Sequence, residues 1–173
     1  MSRKLLVAGI PASGKTTFGK YLEKSCGFVH LDVEKPGVLD RWRLGDAWGK
    51  CFQLGNSRAF VEALDELKRD VVVDWGFPPR WLPVVASMIS CGMEGWWFDG
   101  DVEAARELFV KRATVDTAAL SVQLAAIRGA RSGIEACFAG HILATVSKGP
   151  RVRDSESIAK EMGLVRNGTT NGQ

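Results

Sequence analysis

The sequence lacks several features that would direct it to a membrane, a secretory route or a structural metal. No apolar run approaches the about 20 residues that a membrane-spanning helix needs, so we expect no membrane partner. The first apolar segment begins at residue 5, and we therefore expect no signal peptide. The four cysteines are far apart, with no C-x-x-C pair and no metal-ligand spacing, and we interpret them as reduced thiols of a cytoplasmic protein.

A large net charge is also absent, since the formal net charge is only +3. This balance predicts no global attraction to nucleic acid, although it leaves a local basic groove open. The 173 residues, 46% apolar and 25% charged, are typical of one globular domain with a proper core. We find no internal repeat and no linker, and we predict one domain over residues 1–166. The small, polar residues 167–173 are predicted to form a disordered tail.

The most specific feature present is the segment G-I-P-A-S-G-K-T at residues 9–16, which matches the phosphate-binding P-loop G-x-x-x-x-G-K-[ST]. The glycines let successive backbone N–H groups point at one phosphate, and the helix that follows adds its positive dipole end. Lys15 suits the β- and γ-phosphates, and the Thr16 hydroxyl suits Mg²⁺. The predicted nucleotide-binding residues of this segment are Gly9, Pro11, Ala12, Ser13, Gly14, Lys15, Thr16 and Thr17.

The context of the motif is the one that a P-loop requires. A short apolar run precedes it, and Phe18, Tyr21 and Leu22 after it share one helical face. Strand-like runs alternate with helical segments, which predicts an α/β fold of three layers (α/β/α) around a five-stranded parallel sheet. The predicted strands are residues 5–8, 28–31, 71–73, 96–98 and 142–146, and the clearest predicted helices are residues 60–69, 101–112 and 154–162.

One segment stands apart because it combines small side chains with glycine breaks. Residues 113–135 contain Gly129 and Gly133 and precede the last predicted strand. We interpret this segment as a small helical lid over the nucleotide, with an ordinary surface helical hairpin as the alternative.

A metal ligand is predicted at Asp74, which ends the run V-V-V-D. In an open α/β sheet the carboxyl ends of the strands border the ligand site, so Asp74 and Thr16 are expected to hold Mg²⁺ together. The alternative is a turn or capping aspartate before Gly76. Trp75 occupies the position where water-splitting P-loop ATPases often carry glutamate, which disfavours that class. No Asn-Lys-x-Asp guanine reader is present, so ATP is favoured over GTP.

The acceptor side is predicted from Asp32, which ends the second strand-like run. A carboxylate there would take the proton of an attacking hydroxyl, while a helix cap or a structural ion pair is the alternative. Glu34 and Asp40 are the nearby substitutes. Arg80 follows Pro78 and Pro79, which stiffen the loop after Asp74. It would bind an anionic substrate group or the transferring phosphoryl group, with a solvated arginine as the alternative.

Further cations lie beside the predicted lid. Arg106 and Arg112 belong to the helix at residues 101–112, where they would neutralise charge on the γ-phosphoryl or stack on adenine. A solvated charged face is the alternative for both. Trp75 and Trp81 flank the loop that carries Arg80, and packing is favoured over stacking on a substrate. His30 and His141 are interpreted as structural.

Taken together, these motifs resemble a known family. The segment G-x-P-x-S-G-K-T-T, the strand end at Asp32, the V-V-V-Asp74 strand followed by Arg80 and the helix at residues 101–112 are similar to the small P-loop kinases. These are the relatives of polynucleotide kinase 5′-domains, zeta toxins and chloramphenicol phosphotransferase, often labelled AAA-type ATPase domains. The resemblance spans about 165 residues, although only the P-loop is specific alone.

The resemblance implies a sheet of order 2-3-1-4-5 and Mg²⁺-ATP-dependent phosphorylation of a hydroxyl. It also implies that Asp32 is the base and that Arg106 and Arg112 are lid arginines. The acceptor stays open, because Asp32 is followed by V-E-K-P-G and the tryptophan-rich residues 42–81 match no particular member. The leading hypothesis is therefore a kinase acting on a small molecule or a nucleotide or nucleic-acid end. The alternative is an ATP-binding switch or interaction protein without a small-molecule acceptor.

Overall fold

The computed structural model describes residues 2–111 and 116–165, and a six-stranded sheet forms its centre. Five of the strands coincide with the predicted apolar runs, because each of these runs is buried between two layers of helices. The strands are β1 (Lys4–Gly9), β2 (Val29–Asp32), β3 (Val71–Asp74), β4 (Glu94–Gly100), β5 (Ile142–Ser147) and β6 (Arg151–Val152).

The sheet order is β2-β3-β1-β4-β5-β6, so the five predicted strands have the order 2-3-1-4-5 and are parallel. The prediction of five strands missed β6, which pairs antiparallel with β5. Gly149, at φ +87°, lets the chain reverse between the two strands. A strand of two residues carries no periodic pattern, so the sequence offered no signal for it.

Nine helices occur in the described residues, together with one 3-10 turn at Pro79–Trp81. The predicted helices at residues 60–69, 101–112 and 154–162 correspond to the fourth, sixth and ninth of them. Asp101 caps the sixth, since its Oδ1 accepts a hydrogen bond from the Ala104 N–H at 2.8 Å. The helices are α1 (Lys15–Cys26), α2 (Val38–Arg41), α3 (Gly45–Leu54), α4 (Arg58–Glu66), α5 (Leu82–Ser90), α6 (Val102–Lys111), α7 (Thr117–Gly129), α8 (Arg131–Cys137) and α9 (Ser155–Glu161).

Side chains of the strands alternate between two cores, one on each face of the sheet. Leu6 and Ala8 of β1 enter the core that α3, α4, α5 and α8 cover. Leu5 and Val7 enter the other core, where they pack with Phe18 of α1 and with residues of α9. The predicted three-layer α/β/α architecture is confirmed.

An aromatic cluster fills the first core beneath the carboxyl end of β3. The ring of Trp48 lies about 5 Å from those of Phe52, Phe60 and Trp75, with centroid distances of 5.2, 5.0 and 4.9 Å. Trp75 is only 5% exposed, so the packing interpretation of this tryptophan is confirmed. Trp81 joins the cluster through Phe52, with ring centroids 4.7 Å apart.

All four cysteines lie in the described part of the chain and are free, as the interpretation of reduced thiols requires. Among the helices of residues 2–111 and 116–165, none combines the length and apolar character needed to cross a membrane.

Candidate active site

The P-loop turns sharply between β1 and α1. Ala12 at φ +59° and Gly14 at φ +88° both occupy the left-handed region, which is uncommon for a residue with a side chain such as Ala12. A Cβ at Gly14 would lie 2.5 Å from Cγ1 of Val152, so β6 packs directly on the loop. Such a conformation persists only where neighbouring structure holds it, which is typical of a ligand-binding turn.

The neighbouring structure that holds the loop includes β5. The buried hydroxyl of Thr145 donates to the carbonyl of Ser13 at 2.9 Å and contacts that of Asp99 at 3.2 Å. The Ile10 N–H donates to the carbonyl of Phe98 at 3.0 Å. The loop is therefore tied to β4 and β5, and its N–H groups are oriented by the fold.

Lys15, the first residue of α1, lies over the loop. Its Nζ donates to the carbonyls of Gly9 at 3.2 Å and Ile10 at 2.9 Å, and it lies 3.4 Å from Oγ of Ser13. The first turn of α1 carries no acidic residue, so its helix dipole is not offset locally. The loop therefore presents a cation and a positive helix end to the same space.

That space is a cavity of about 260 Å³, hereafter the P-loop cavity. It brings together the motif, the carboxyl ends of two strands and one face from each of α6 and α7. Its walls are residues 11–17, Glu34, Asp74, Gly76, Phe109 and Gln123. Most of the predicted phosphate-binding residues therefore line one cavity, while Gly9 lies at the end of β1 beneath it.

The structure also places the two predicted metal ligands, Thr16 and Asp74, in the walls of this cavity. Asp74 is 2% exposed, and its Oδ2 has no hydrogen-bond partner within the described part of the chain. No group of three or more His, Cys, Asp or Glu side chains in residues 2–111 and 116–165 would hold a metal by itself. One carboxylate and one hydroxyl fit Mg²⁺, which takes its remaining ligands from phosphates and water.

The carboxylates expected near the acceptor, Asp32, Glu34 and Asp40, do not share one cavity. Glu34 lines the P-loop cavity, where its Oε2 accepts from the Gly76 N–H at 3.0 Å. Asp32 instead lines a second cavity of about 250 Å³ between α1 and α2, hereafter the α1–α2 cavity. Thr16 lines both cavities, so Asp32 and Glu34 each border the phosphate-binding loop from a different cavity. Asp40 lies further out, beside the loop that follows Glu34.

The predicted arginines are not gathered at the P-loop cavity. Arg80 is exposed, and its guanidinium carbon lies 5.6 Å from the centre of the Trp81 ring. Arg106 is exposed on α6, three residues before Phe109. Arg112 lies outside the described residues, as does the predicted disordered tail. The roles of these arginines stay predictions.

The predicted lid contains α7 and most of α8. Helix α7 ends at Gly129, one of the two expected breaks, while Gly133 lies inside α8. A Cβ at Gly133 would come within 2.7 Å of Leu82 Cδ2, so α8 packs closely on α5. Arg131 forms ion pairs with Glu135 and Asp99, and these hydrogen bonds raise its pKa.

Sequence reasoning missed some residues that build this site. No motif in the sequence marks Phe109 of α6 or Gln123 of α7 as a residue of the P-loop cavity. Thr145 and Val152 support the loop from β5 and β6. Only the Thr145 hydroxyl within an otherwise apolar strand was a signal, since a buried hydroxyl needs a partner.

The chain was compared with known proteins, and no family model matches it. A curated relative, the adenylate kinase isoenzyme 6 homolog of Caenorhabditis elegans, is 32% identical over 99 residues. The match covers 52% of this chain and 53% of that protein, so the chain spans about half the length of the relative.

Solved structures resemble the chain over nearly its whole length. A gluconokinase from Sinorhizobium meliloti has a TM-score of 0.54 at 17% identity, covering 94% of this chain and 91% of its own. A shikimate kinase from Bacteroides thetaiotaomicron has a TM-score of 0.58 at 13% identity, and the match covers 93% of this chain and 98% of that protein. A shikimate kinase from Acinetobacter baumannii, in complex with shikimate, has a TM-score of 0.56 at 15% identity. This match covers 94% of this chain and 91% of that protein.

The chain therefore has the fold of the small P-loop kinases. At these identities the structural likeness establishes the fold alone. None of these four proteins is a polynucleotide kinase, a zeta toxin or a chloramphenicol phosphotransferase, so the narrower resemblance stays a prediction.

Proposed function

We propose that the chain is a Mg²⁺-ATP-dependent phosphotransferase that moves the γ-phosphoryl group of ATP to a hydroxyl of a small molecule. The observation that carries this proposal is the composition of the P-loop cavity. One space joins residues 11–17 of the phosphate-binding loop and its helix, the buried carboxylate of Asp74 and the carboxylate of Glu34. The fold shared with gluconokinase and shikimate kinase structures supports it.

The phosphate-binding loop forms the half of the site that would bind the phosphoryl donor, ATP. Its N–H groups bind the phosphates, and Lys15 neutralises charge between the β- and γ-phosphates. Thr16 and Asp74 would hold Mg²⁺, which when bound supplies further neutralisation of the charge on the phosphates. Phosphoryl transfer needs little covalent chemistry from the protein, so positioning and electrostatics supply most of the rate.

The acceptor half depends on a carboxylate that receives the hydroxyl proton. Asp32 is the assigned base, and Glu34 is its nearest substitute. Trp75 supports transfer to a hydroxyl over hydrolysis, because its buried ring follows Asp74 where a water-activating carboxylate would be needed. Arg80, Arg106 and Arg112 are assigned to charge neutralisation around the reacting phosphoryl group.

The lid function is assigned to α7. Gln123 of α7 reaches the P-loop cavity, whereas Ile134 of α8 is fully buried in the body of the protein. A lid that closes over ATP would exclude water and so protect the phosphoryl group from hydrolysis.

The test is transfer of labelled phosphate from ATP to pooled sugars, hydroxy acids, nucleosides, antibiotics and oligonucleotide ends. We expect a labelled product from at least one pool, and we expect Lys15→Ala to abolish it. Slow ATP hydrolysis that no pool stimulates would contradict the proposal and favour the ATP-binding switch. Labelling of oligonucleotide ends alone would assign the acceptor to nucleic acid.

A further inference from the structure

We propose that Gln123 of α7 contacts the γ-phosphoryl group of ATP directly and stabilises that group during its transfer. This inference rests on the proposed kinase function and adds to the same site a catalytic residue that no sequence motif marks. It also gives the lid a specific chemistry, because the contact comes from a neutral carboxamide. The arginines assigned to the reacting phosphoryl group would then act at longer range.

Gln123 belongs to the stripe of α7 that faces the body of the protein. Leu120 and Ile127 of this stripe are buried, with 1% and 6% of their surface exposed, and Gln123 lies between them at helical spacing. Val122 is 71% exposed and belongs to the outer face of the helix. A polar side chain on an inward and otherwise apolar stripe needs a polar partner.

The protein does not supply that partner within residues 2–111 and 116–165, where the carboxamide of Gln123 makes no hydrogen bond. The side chain is half-buried and lines the P-loop cavity. Phe109 of α6 lines the same cavity, but a phenyl ring carries no donor. Neither Arg80 nor Arg106 belongs to the wall. Among the described residues of α6 and α7, Gln123 is therefore the one that can donate a hydrogen bond into the cavity.

The walls of the cavity indicate which part of ATP Gln123 would meet. Residues 11–17 form one side, where the loop N–H groups surround the inner phosphates. Asp74 and Gln123 line the cavity outside the loop. In P-loop enzymes the loop lysine and the metal ion both reach the γ-phosphate, so a residue that shares a cavity with Lys15 and Asp74 meets the same terminal group.

A chain of contacts connects α7 to the phosphate-binding loop. Arg131, two residues after the end of α7, forms an ion pair with Asp99 of β4. The carbonyl of Asp99 contacts the Thr145 hydroxyl at 3.2 Å, and that hydroxyl donates to the Ser13 carbonyl at 2.9 Å. The carboxyl-terminal end of α7 is therefore tied to the loop whose cavity Gln123 lines.

The chemistry required of Gln123 is hydrogen bonding alone. The acceptor oxygen forms a bond to the γ-phosphorus, and the bond from that phosphorus to the β,γ-bridging oxygen breaks, so the electron pair leaves with ADP. The hydroxyl proton goes to the base, which is assigned to Asp32. The amide N–H groups of Gln123 donate to a non-bridging γ-oxygen, whose negative charge they stabilise while the group moves.

The first experiment compares ATP with ADP, which lacks the group that Gln123 is proposed to contact. Gln123→Glu keeps the shape of the side chain and replaces its donors with a negative charge. We expect the Mg²⁺ complex of a non-hydrolysable ATP analogue to bind this variant at least about tenfold more weakly, while the affinity for Mg²⁺-ADP changes by less than about threefold. Gln53→Glu, at an exposed position of α3, is the matched control and should change neither affinity.

Phosphoryl transfer gives the second readout. Gln123→Met keeps the length of the side chain and its helix propensity but has no donor. With an acceptor from the pooled screen, we expect this variant to lower kcat about 10²-fold and to change the KM for ATP far less, because the contact stabilises the group in transfer. Gln53→Met should leave kcat unchanged, and thermal unfolding shows whether each variant is folded.

The outcomes distinguish this contact from the kinase function itself. Wild-type transfer that Gln123→Met leaves unchanged overturns the contact and leaves the kinase function standing. Equal weakening of ATP-analogue and ADP binding in Gln123→Glu overturns the contact as well, as does an unchanged affinity for both. Selective loss of ATP-analogue affinity, without transfer by the wild type to any acceptor, supports the contact and contradicts the kinase function.

Discussion

Nε2 of His30 lies 3.5 Å from Oδ2 of Asp74, and both side chains are more than nine-tenths buried, at 7% and 3% exposed. Neither atom has a hydrogen-bond partner elsewhere in the described ranges 2–111 and 116–165. His30 lines the α1–α2 cavity, and Asp74 lines the P-loop cavity. The pair therefore lies between the two cavities that border the phosphate-binding loop.

Removing the imidazole is expected to destabilise the fold, because the buried Oδ2 of Asp74 would lose the polar atom of His30 that lies beside it. We expect His30→Leu to lower the free energy of unfolding by about 1–3 kcal/mol and His30→Gln, which keeps a donor, to lower it less. Urea unfolding followed by tryptophan fluorescence measures both. Equal stability of the two variants would mean that the polar contact contributes nothing.

The position of the imidazole also depends on Gly19 of α1, where an added Cβ would lie 2.3 Å from His30 Nε2. We expect Gly19→Ala to lower the free energy of unfolding by about 1–3 kcal/mol, because the ring must move in a closely packed region. Gly49→Ala is the matched control, since Gly49 lies within helix α3 with nothing within 4 Å of its added Cβ. That control should raise helix stability by up to about 1 kcal/mol.

Substitutions of Asp32 and of Glu34 are expected to have different effects on phosphoryl transfer. If Asp32 is the base, Asp32→Asn retains ATP binding while the rate of transfer falls about 10²–10⁴-fold, the usual contribution of general-base catalysis. Glu34→Gln should then change transfer far less, because its amide oxygen can still accept from the Gly76 N–H. Equilibrium binding of an ATP analogue and single-turnover transfer distinguish the outcomes. Full transfer by Asp32→Asn with loss in Glu34→Gln would reassign the base to Glu34.

The support of the P-loop by β5 is testable at Thr145, whose hydroxyl is buried against the Ser13 and Asp99 carbonyls. Thr145→Val keeps the shape and removes the donor, so we expect a loss of about 1–3 kcal/mol in stability. ATP binding should weaken as well, because the loop loses a tether. Thr145→Ser retains the hydroxyl and serves as the control. Thermal unfolding and nucleotide titration give the two readouts, and unchanged ATP affinity in Thr145→Val would contradict the tether.

Burial raises the pKa of the thiol of Cys51, a fully buried residue of α3. A raised pKa lowers the thiolate fraction at neutral pH, and the thiolate is the reactive form. We therefore expect Cys51 to be modified by a thiol reagent more slowly than the half-buried Cys91, and to remain slow up to about pH 8. Mass spectrometry of labelled peptides measures this order. In urea the two cysteines should react at similar rates, and equal rates in the native protein would contradict the burial.

The features that the sequence predicted depend on local chemistry. The P-loop and the strand ends at Asp32 and Asp74 follow from short motifs and from apolar periodicity, which neighbouring residues determine. Sheet order followed from the family resemblance and is confirmed. Strand β6 was not predicted, because two residues are too few to show an apolar period. Its contribution to the P-loop is visible only in the structure, where Val152 packs against Gly14.

What the sequence by itself determined is the donor side of the protein, since the phosphate-binding loop is one continuous segment whose glycines, lysine and threonine act together. Tertiary structure alone decided which carboxylate faces which cavity. Asp32 and Glu34 are two residues apart, yet they line different cavities because the chain leaves β2 between them. It also decided that Lys20, Lys35 and Arg41, which belong to three separate segments, line one cavity. Convergence of that kind depends on how separate elements pack, which no local pattern records.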